Sequence, residues 1–365
     1  MKILIVIDSL GSGGAQRIAV YLAKGLVEKG HLVEIFVYNK KYNFFESDFK
    51  KLNIKIHSVQ RDTNNKLLFG FKIIKNLRSI IMKYDQIISF MHTPSIYASI
   101  SKFGIKHGKL LVFELSSSNA PVSKFKKLLF YLSCLLSNLV ITNSVTETNL
   151  MKKKIGLKNK VSTIWNGYNI ESMKVNYSSN SQNIKQLLIV GRIAYPKNGV
   201  NLLKGLKIFY DNNNWLPEVM WAGREDLDNR SLKMQKEMKI FLKENIHIAN
   251  KFKFIGEVKN INDLYQSVDA LIHPSIYEGL PNVICEAMIL GCCVIASNVC
   301  DHPVILNDER GLLFDPRSPK SISKSIEEFN AMPIDRRNTI AKKARKFAEE
   351  NFSLNHMIES FENLT

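Results

Sequence analysis

The chain has 365 residues, 45% apolar and 23% charged, which excludes disorder, collagen and disulfide scaffolds; at this length two domains are expected rather than one core. Residues 1–180 carry 27 lysines and arginines against 10 acids, or +17, whereas residues 181–365 carry 24 against 23, or +1. A basic half beside a neutral one suits a surface turned towards something anionic: phospholipid head groups, a phosphorylated acceptor or nucleic acid.

Residues 2–7 are a short apolar run before Asp8, too short for a signal-peptide core, and read as a buried strand. Gly11-Ser12-Gly13-Gly14 is then a loop, residues 15–29 have helical spacing closed by Gly30, and residues 32–38 read as a second strand, completing a βαβ unit. Further strands at 86–90, 109–113 and 139–142, with helical segments between them, predict a parallel sheet covered on both faces. The pattern breaks over 167–184, where residues 176–183 (Asn-Tyr-Ser-Ser-Asn-Ser-Gln-Asn) have no periodicity and read as a linker. Strands then resume at 187–190, 218–222, 253–255, 270–273, 294–296 and 311–314, with helices at 199–211, 261–267 and 281–290. Two doubly wound domains place a ligand in the cleft between them, beyond the carboxyl ends of the strands. The longest mostly apolar run, 128–136, is half the length needed to span a bilayer, so no membrane crossing is expected.

The five cysteines, Cys134, Cys285, Cys292, Cys293 and Cys300, are odd in number and form no Cys-x-x-Cys pair, which predicts the free thiols of a reducing cytosol. The histidines are scattered, and no Cys/His spacing fits a zinc site.

The most informative stretch runs from Ser275 to Ala287. Proline favours the first position of a helix, so a helix is expected to start at about Pro281 and to turn its free N–H groups and positive dipole end towards a phosphate. Glu286 lies five residues on, roughly 7.5 Å along the axis. That is about the reach from a diphosphate to the sugar hydroxyls of the same nucleotide, and a carboxylate suits a vicinal diol. Glu278, before the helix, would face the other end of the ligand; the plain alternative is a surface helix with an acid at its start and a solvated Glu286. Gly191-Arg192 and Lys197 follow a strand and precede a helix, which places two cations where a diphosphate needs neutralising, unless both are solvated surface residues.

The Glu278-x7-Glu286 pair, Gly191-Arg192-x4-Lys197, the Gly13-Gly14-Ala15-x-Arg17 loop and Asn166-Gly167 lie in order along nearly the whole chain. In them the sequence resembles the retaining glycosyltransferases of family 4, of the bacterial surface-polysaccharide or lipid-linked-oligosaccharide type. The resemblance implies the GT-B fold, α/β, with two doubly wound Rossmann-like domains facing each other across a cleft. Residues 1–166 would be the N-terminal acceptor-binding domain, 167–184 the linker, 185–348 the nucleotide-sugar donor domain, and 349–365 a C-terminal helix packing back on the first domain.

The resemblance also implies roles. Arg192 and Lys197 would bind the donor diphosphate and Glu286 the ribose, while Glu278 with the backbone of Gly279, Leu280, Pro281 and Asn282 would hold the transferred sugar. Gly13 and Gly14 would close over the diphosphate, and Val258, in Gly256-Glu257-Val258, falls where the nucleotide base rests. His92, after the strand at 86–90, aligns with a family histidine near the donor sugar; Glu278 and His92 are thus the expected catalytic residues. Two departures stand out: Glu-Gly-Leu-Pro replaces the common Glu-Gly-Phe-Gly, which leaves the sugar open, and Trp165 replaces a common proline before Asn166.

The activity so implied is transfer of a hexose or N-acetylhexosamine, with retained configuration, from a nucleotide sugar, most simply a UDP-sugar, to a lipid-diphosphate-linked saccharide. No metal or other cofactor is expected, because a helix N-terminus with Arg192 and Lys197 can stabilise the departing diphosphate as a metal would. Asp226-Leu227-Asp228 matches an Asp-x-Asp metal pattern but reads as a chance occurrence. Two stretches, 66–83 and 123–136, mix lysines with apolar residues; in the first, Lys72, Lys75, Arg78 and Lys83 leave a face with Leu68, Phe71, Ile74 and Ile81. Such helices can lie in an anionic interface, which points to a cytoplasmic protein held peripherally on the inner face of the membrane.

Other classes fit less well. Gln16 and the absence of an acid after residue 38 disfavour a dinucleotide site. A UDP-sugar epimerase of the same fold would need no basic acceptor domain, and no nucleic-acid-binding module is recognisable.

Overall fold

The computed structural model describes the chain except for residues 116–121, 176, 178–181 and 259. One unit comprises Met1–Tyr168 with Ser353–Thr365, and a second Asn169–Phe352.

In the first unit, strands β1 (Lys2–Val6), β2 (Leu32–Val37), β3 (Lys55–Ser58), β4 (Gln86–Phe90), β5 (Lys109–Glu114), β6 (Leu139–Thr142) and β7 (Val161–Thr163) form one parallel sheet in the order β3-β2-β1-β4-β5-β6-β7. Ile5 lies opposite Ile35 on one side and Ile88 on the other. Helices cover both faces, so Ile3, Leu4, Ile5 and Val6 are all buried, and the sequence shows a continuous apolar run rather than alternation. The edge strands, Lys-Ile-His-Ser and Val-Ser-Thr, lack such a run, and the sequence reading passed over both.

The helix Gly14–Glu28 buries Ile18, Ala19, Leu22, Ala23 and Leu26, and Gly30 leaves it with φ +81°. The last helix, Leu354–Leu364, packs on it and adds Met357, Ile358 and Phe361 to the core of this unit. A Cβ on Gly25 would lie 2.3 Å from Ile358 Cγ1, so glycine is what allows the two helices to approach.

The second unit holds β8 (Gln186–Val190), β9 (Glu218–Ala222), β10 (Phe252–Gly256), β11 (Ala270–His273), β12 (Cys293–Ser297) and β13 (Leu312–Phe314), all parallel, in the order β10-β9-β8-β11-β12-β13. Both units are therefore Rossmann-like and doubly wound. The core of the second gathers Trp221, Phe209, Ile295, Ile322 and Phe329.

The boundaries differ from those read in the sequence. Of the expected linker, Gly167 belongs to the first unit, pressed against Leu354 and Met357. The described residues from Asn169 onward belong to the second, where Ile170 and Ile184 are buried and Tyr177 packs on the core. Residues 176 and 178–181 of that linker lie outside the described residues. Glu349–Asn351 end the long helix Ile334–Asn351 of the second unit, so the chain returns to the first at Ser353 rather than at 349.

The expected apolar face of residues 66–83 is also corrected. In the helix Lys66–Ile81, Gly70, Ile73, Leu77 and Ile81 are buried, whereas Leu67, Leu68 and Phe71 are exposed; Ile81 and Phe71 do not share a face. The helix Lys124–Leu136 buries Phe130, Ser133 and Cys134 and exposes Phe125, Leu128, Leu132 and Leu136. No described helix is long and apolar enough to cross a membrane. All five cysteines are unpaired by disulfides.

Candidate active site

Three neighbouring strands of the second unit end on glycines with positive φ: Gly191 (+134°) after β8, Gly223 (+152°) after β9 and Gly256 (+70°) closing β10. The backbones interlock, with Gly191 N donating to Ala222 O at 2.9 Å and Gly223 N to Gly256 O at 2.7 Å. The chain then diverges into loops carrying Arg192, Arg224 and Val258. Gly191 also makes room for Lys197: a Cβ there would lie 2.9 Å from Lys197 Cε, so the lysine stem lies across the glycine.

Lys197 closes the short turn Tyr195–Lys197 and reaches Glu278, with Nζ 2.6 Å from Oε1. Glu278 sits in the loop between β11 and the helix Asn282–Ile289. Its Oε1 also accepts from Ser275 Oγ at 2.7 Å and lies 3.2 Å from His273 Nε2, and its amide donates to Cys300 Sγ at 3.3 Å. Burial alone would raise the Glu278 carboxyl, but the Lys197 ammonium, followed by the His273 hydrogen bond, holds it well below the usual range. It is therefore a carboxylate at neutral pH.

His273 is fully buried, and loss of solvation, with Lys197 next in weight, brings its imidazole down to about 4. At neutral pH the ring is uncharged, so its Nε2 is an N–H donor, set between Ser275 Oγ at 3.1 Å and the Glu278 carboxylate at 3.2 Å. Ser275 and His273 are tied to the end of the next strand: Ser297 Oγ donates to Ser275 O at 2.6 Å, and His302, also fully buried, donates from Nδ1 to Ser297 O at 2.7 Å.

The helix begins at Asn282 with Pro281 as its cap residue, one position later than expected, and no side chain caps it. A helix N-terminus without a side-chain cap turns its positive dipole end towards an anion. Leu280 and Pro281 are buried beneath this approach. Glu286, on the same helix, is half-buried and accepts from the hydroxyl of the buried Tyr265 at 3.3 Å.

The structure thus joins Lys197 to Glu278 and puts Glu286 on the helix that follows, but it turns Arg192 to Asp226, with which it pairs. Asp228 caps the helix Asn229–Glu244 by accepting from the amides of Arg230 and Ser231, so both acids of the Asp-x-Asp pattern have local partners. Gly279 and Val258 lie in loops, the latter partly exposed.

Gly13, Gly14 and His92 belong to the first unit. Gly13 precedes the helix Gly14–Glu28, and a Cβ on it would lie 2.2 Å from Gln16 Oε1, whose amide nitrogen donates to Asp8. His92 opens the helix His92–Lys102, pairs with the buried Glu114 at 2.9 Å and packs on Phe130. Sequence reasoning missed His273, Ser275, His302, Tyr265 and Gly223. Of these only Gly223 had a visible signal, because Gly223-Arg224 repeats the Gly191-Arg192 dipeptide at the end of the adjacent strand.

Comparison with known proteins follows the same division. A family model for glycosyl transferases group 1 matches residues 174–347, and one for glycosyltransferase family 4 matches residues 12–172. The chain is 27% identical over 336 residues to a Campylobacter jejuni GalNAc-alpha-(1->4)-GalNAc-alpha-(1->3)-diNAcBac-PP-undecaprenol alpha-1,4-N-acetyl-D-galactosaminyltransferase, covering 90% of this chain and 88% of the relative. It is 24% identical to the capsular polysaccharide biosynthesis glycosyltransferase CapH of Staphylococcus aureus, over 82% of each. Among solved structures, Anabaena Alr3699/HepE in complex with UDP superposes with a TM-score of 0.82 at 19% identity, over 100% of this chain and 99% of that one.

Proposed function

The chain belongs to glycosyltransferase family 4 and has the GT-B fold, and from that membership we propose that it moves a hexose or N-acetylhexosamine from a UDP-sugar to a lipid-diphosphate-linked saccharide, with retention and without a metal. Its relatives in capsule and O-antigen synthesis place the glycosyl transfer in polysaccharide biosynthesis.

The observation that carries the finer reading is the Glu278 carboxylate, held by Lys197, Ser275 and His273 just ahead of an uncapped helix N-terminus. Departure of a nucleoside diphosphate builds negative charge, and the Lys197 ammonium and the first amides of the helix can meet it at no cost in reorganisation. Arg192 joins them on exchanging Asp226 for phosphate. Glu278 then lies on the sugar side of the diphosphate, where its charge favours the positive character that grows on the anomeric carbon. The acceptor attacks from the face that the leaving group vacates, and a phosphate oxygen of that group takes the acceptor proton. Glu286 holds the ribose diol. UDP and UDP-glucose in the Anabaena complexes and the diphosphate-undecaprenol acceptor named for the Campylobacter relative support the two substrate classes.

Calorimetry with UDP, GDP, ADP and NAD in excess chelator tests this. UDP is expected to bind without metal, and Glu286→Gln to weaken it by roughly 10- to 100-fold, the worth of hydrogen bonds to a charged group. Binding that requires manganese, or that ignores Glu286, would overturn the donor reading.

The same proposal puts the first unit on an anionic membrane surface. Phe125, Leu128, Leu132 and Leu136 are exposed at one helical spacing beside Lys124 and Lys127, in a half of the chain carrying +17. The protein is expected to sediment with vesicles containing anionic lipid at low salt and to be released by Phe125→Ser with Leu128→Ser. Failure of the unaltered protein to bind them would sink the idea.

A further inference from the structure

We infer that His273 is a positioning residue for Glu278: together with Ser275 and Lys197 it occupies one carboxylate oxygen, Oε1, and so leaves Oε2 to the donor sugar. The inference rests on the proposal that Glu278 meets that sugar.

Lys197 at 2.6 Å and Ser275 at 2.7 Å donate to Oε1, and the single N–H of His273 Nε2 is shared between Ser275 Oγ at 3.1 Å and Oε1 at 3.2 Å, so that the ring holds the carboxylate both directly and through Ser275; among the described residues no donor reaches Oε2. A carboxylate gripped by one oxygen cannot rotate to swap its two oxygens without breaking three hydrogen bonds. Lys197 alone would not impose this, since an ammonium on a flexible stem can follow the carboxylate as it turns. His273 cannot follow: it is the last residue of β11 and fully buried, with its ring centroid 5.3 Å from that of the buried His302. The groups that face it are Lys197, Glu278, Ser275 and His302, and burial, with that ammonium next, keeps the ring neutral. A neutral donor orients the carboxylate without cancelling its charge.

The other ring nitrogen gives an independent reason. His273 Nδ1 is buried and has no hydrogen-bond partner among the described residues. Burying an unpaired acceptor is unfavourable, and an apolar side chain of similar size would remove the defect. A histidine kept at a cost to stability is what a functional role for Nε2 accounts for.

The test compares His273→Leu and His273→Gln with the unaltered protein, reading the thermal midpoint, UDP affinity, and UDP release from whichever UDP-hexose or UDP-N-acetylhexosamine the unaltered protein consumes fastest. His273→Leu is expected to melt at the same temperature or higher, to bind UDP within about twofold, and to lose kcat by about 10- to 100-fold, the worth of one hydrogen bond to a charged group. His273→Gln, whose amide restores an N–H, is expected to recover most of kcat. An unchanged kcat in the leucine variant, equal losses in both variants, or UDP affinity falling in step with kcat would each overturn the inference. Should His273→Leu fail to fold, Ser275→Ala removes a second donor from Oε1 and is expected to lower kcat at constant UDP affinity; an unchanged kcat there counts against it equally. Glu278→Gln run alongside separates the two levels. Full turnover in that variant removes the premise, whereas an inactive Glu278→Gln beside a fully active His273→Leu refutes the role of His273 alone.

Discussion

Replacing Glu278 by glutamine is expected to lower turnover by roughly 100- to 1,000-fold while UDP binds as tightly as before or more tightly. The substitution keeps shape and removes one charge. Because Lys197, Ser275 and His273 all donate into the Oε1 position, the glutamine carbonyl oxygen takes that place and the NH2 group falls where Oε2 was. A negative acceptor facing the sugar thereby becomes a neutral donor, so stabilisation of positive character at the anomeric carbon is lost. The Lys197 ammonium, which the Glu278 carboxylate neutralises at 2.6 Å, has no counter-charge in the variant and attracts a diphosphate more strongly. Calorimetry with UDP and steady-state turnover, made on the same preparation, separate these effects. A loss of UDP affinity with kcat intact would make Glu278 a binding residue only.

Much of this arrangement was legible in the sequence, and the parts that were not share physical causes. Central strands such as β1 and β4 announce themselves because both faces are covered and, after Lys2 and Gln86 at their starts, every side chain is apolar or small. The edge strands β3 and β7 have one neighbour each and carry the polar Lys55, His57, Ser162 and Thr163, of which Lys55 is exposed and the others half-buried, and a search for apolar runs missed them. The helix Asn229–Glu244 escaped notice because its exposed face is charged, from Lys233 to Lys243, and because the polar Ser231 and Gln235 are buried beside Met234 and Met238 and interrupt the apolar pattern. In the site, Lys197 and Glu278 were legible because loops after strands carry function, and charged residues in such loops are easily seen. His273 was not, since a histidine at the end of an apolar strand looks like any core residue until its Nε2 is found 3.2 Å from a carboxylate. Arg192 shows the opposite limit: its place in the loop was read from the sequence, but its pairing with Asp226, 34 residues away, could not be.

The second large effect is expected from Gly223→Ala, a single methyl that should cost roughly 2–6 kcal/mol, combining backbone strain with overpacking. Gly223 has φ +152°, outside what an L side chain readily adopts, and the added Cβ would lie 2.0 Å from Gly191 O and 2.6 Å from Gly191 C. Neither side can give way cheaply. The Gly191 carbonyl accepts from Nε1 of the fully buried Trp221 at 2.9 Å, and the Gly191 amide is bonded to Ala222 O, while the Gly223 amide is bonded to Gly256 O. Relief therefore requires β8 and β9 to part at their carboxyl ends, which displaces the segment that carries Arg192 and lays Lys197 across Gly191. A fall of the second unit's thermal midpoint by about 5–15 °C is expected, at a few degrees per kcal/mol for a domain of this size, together with loss of measurable UDP binding. Gly256→Ala is the control, since its φ is +70° but no atom of the described residues lies within 4 Å of the added Cβ. It should show the strain alone, about 1 kcal/mol, with UDP affinity largely kept. If the two variants melt alike, the contact between Gly223 and Gly191 does not govern the loops; if Gly223→Ala alone both melts early and fails to bind UDP, the interlocked glycines are what hold the cations in place.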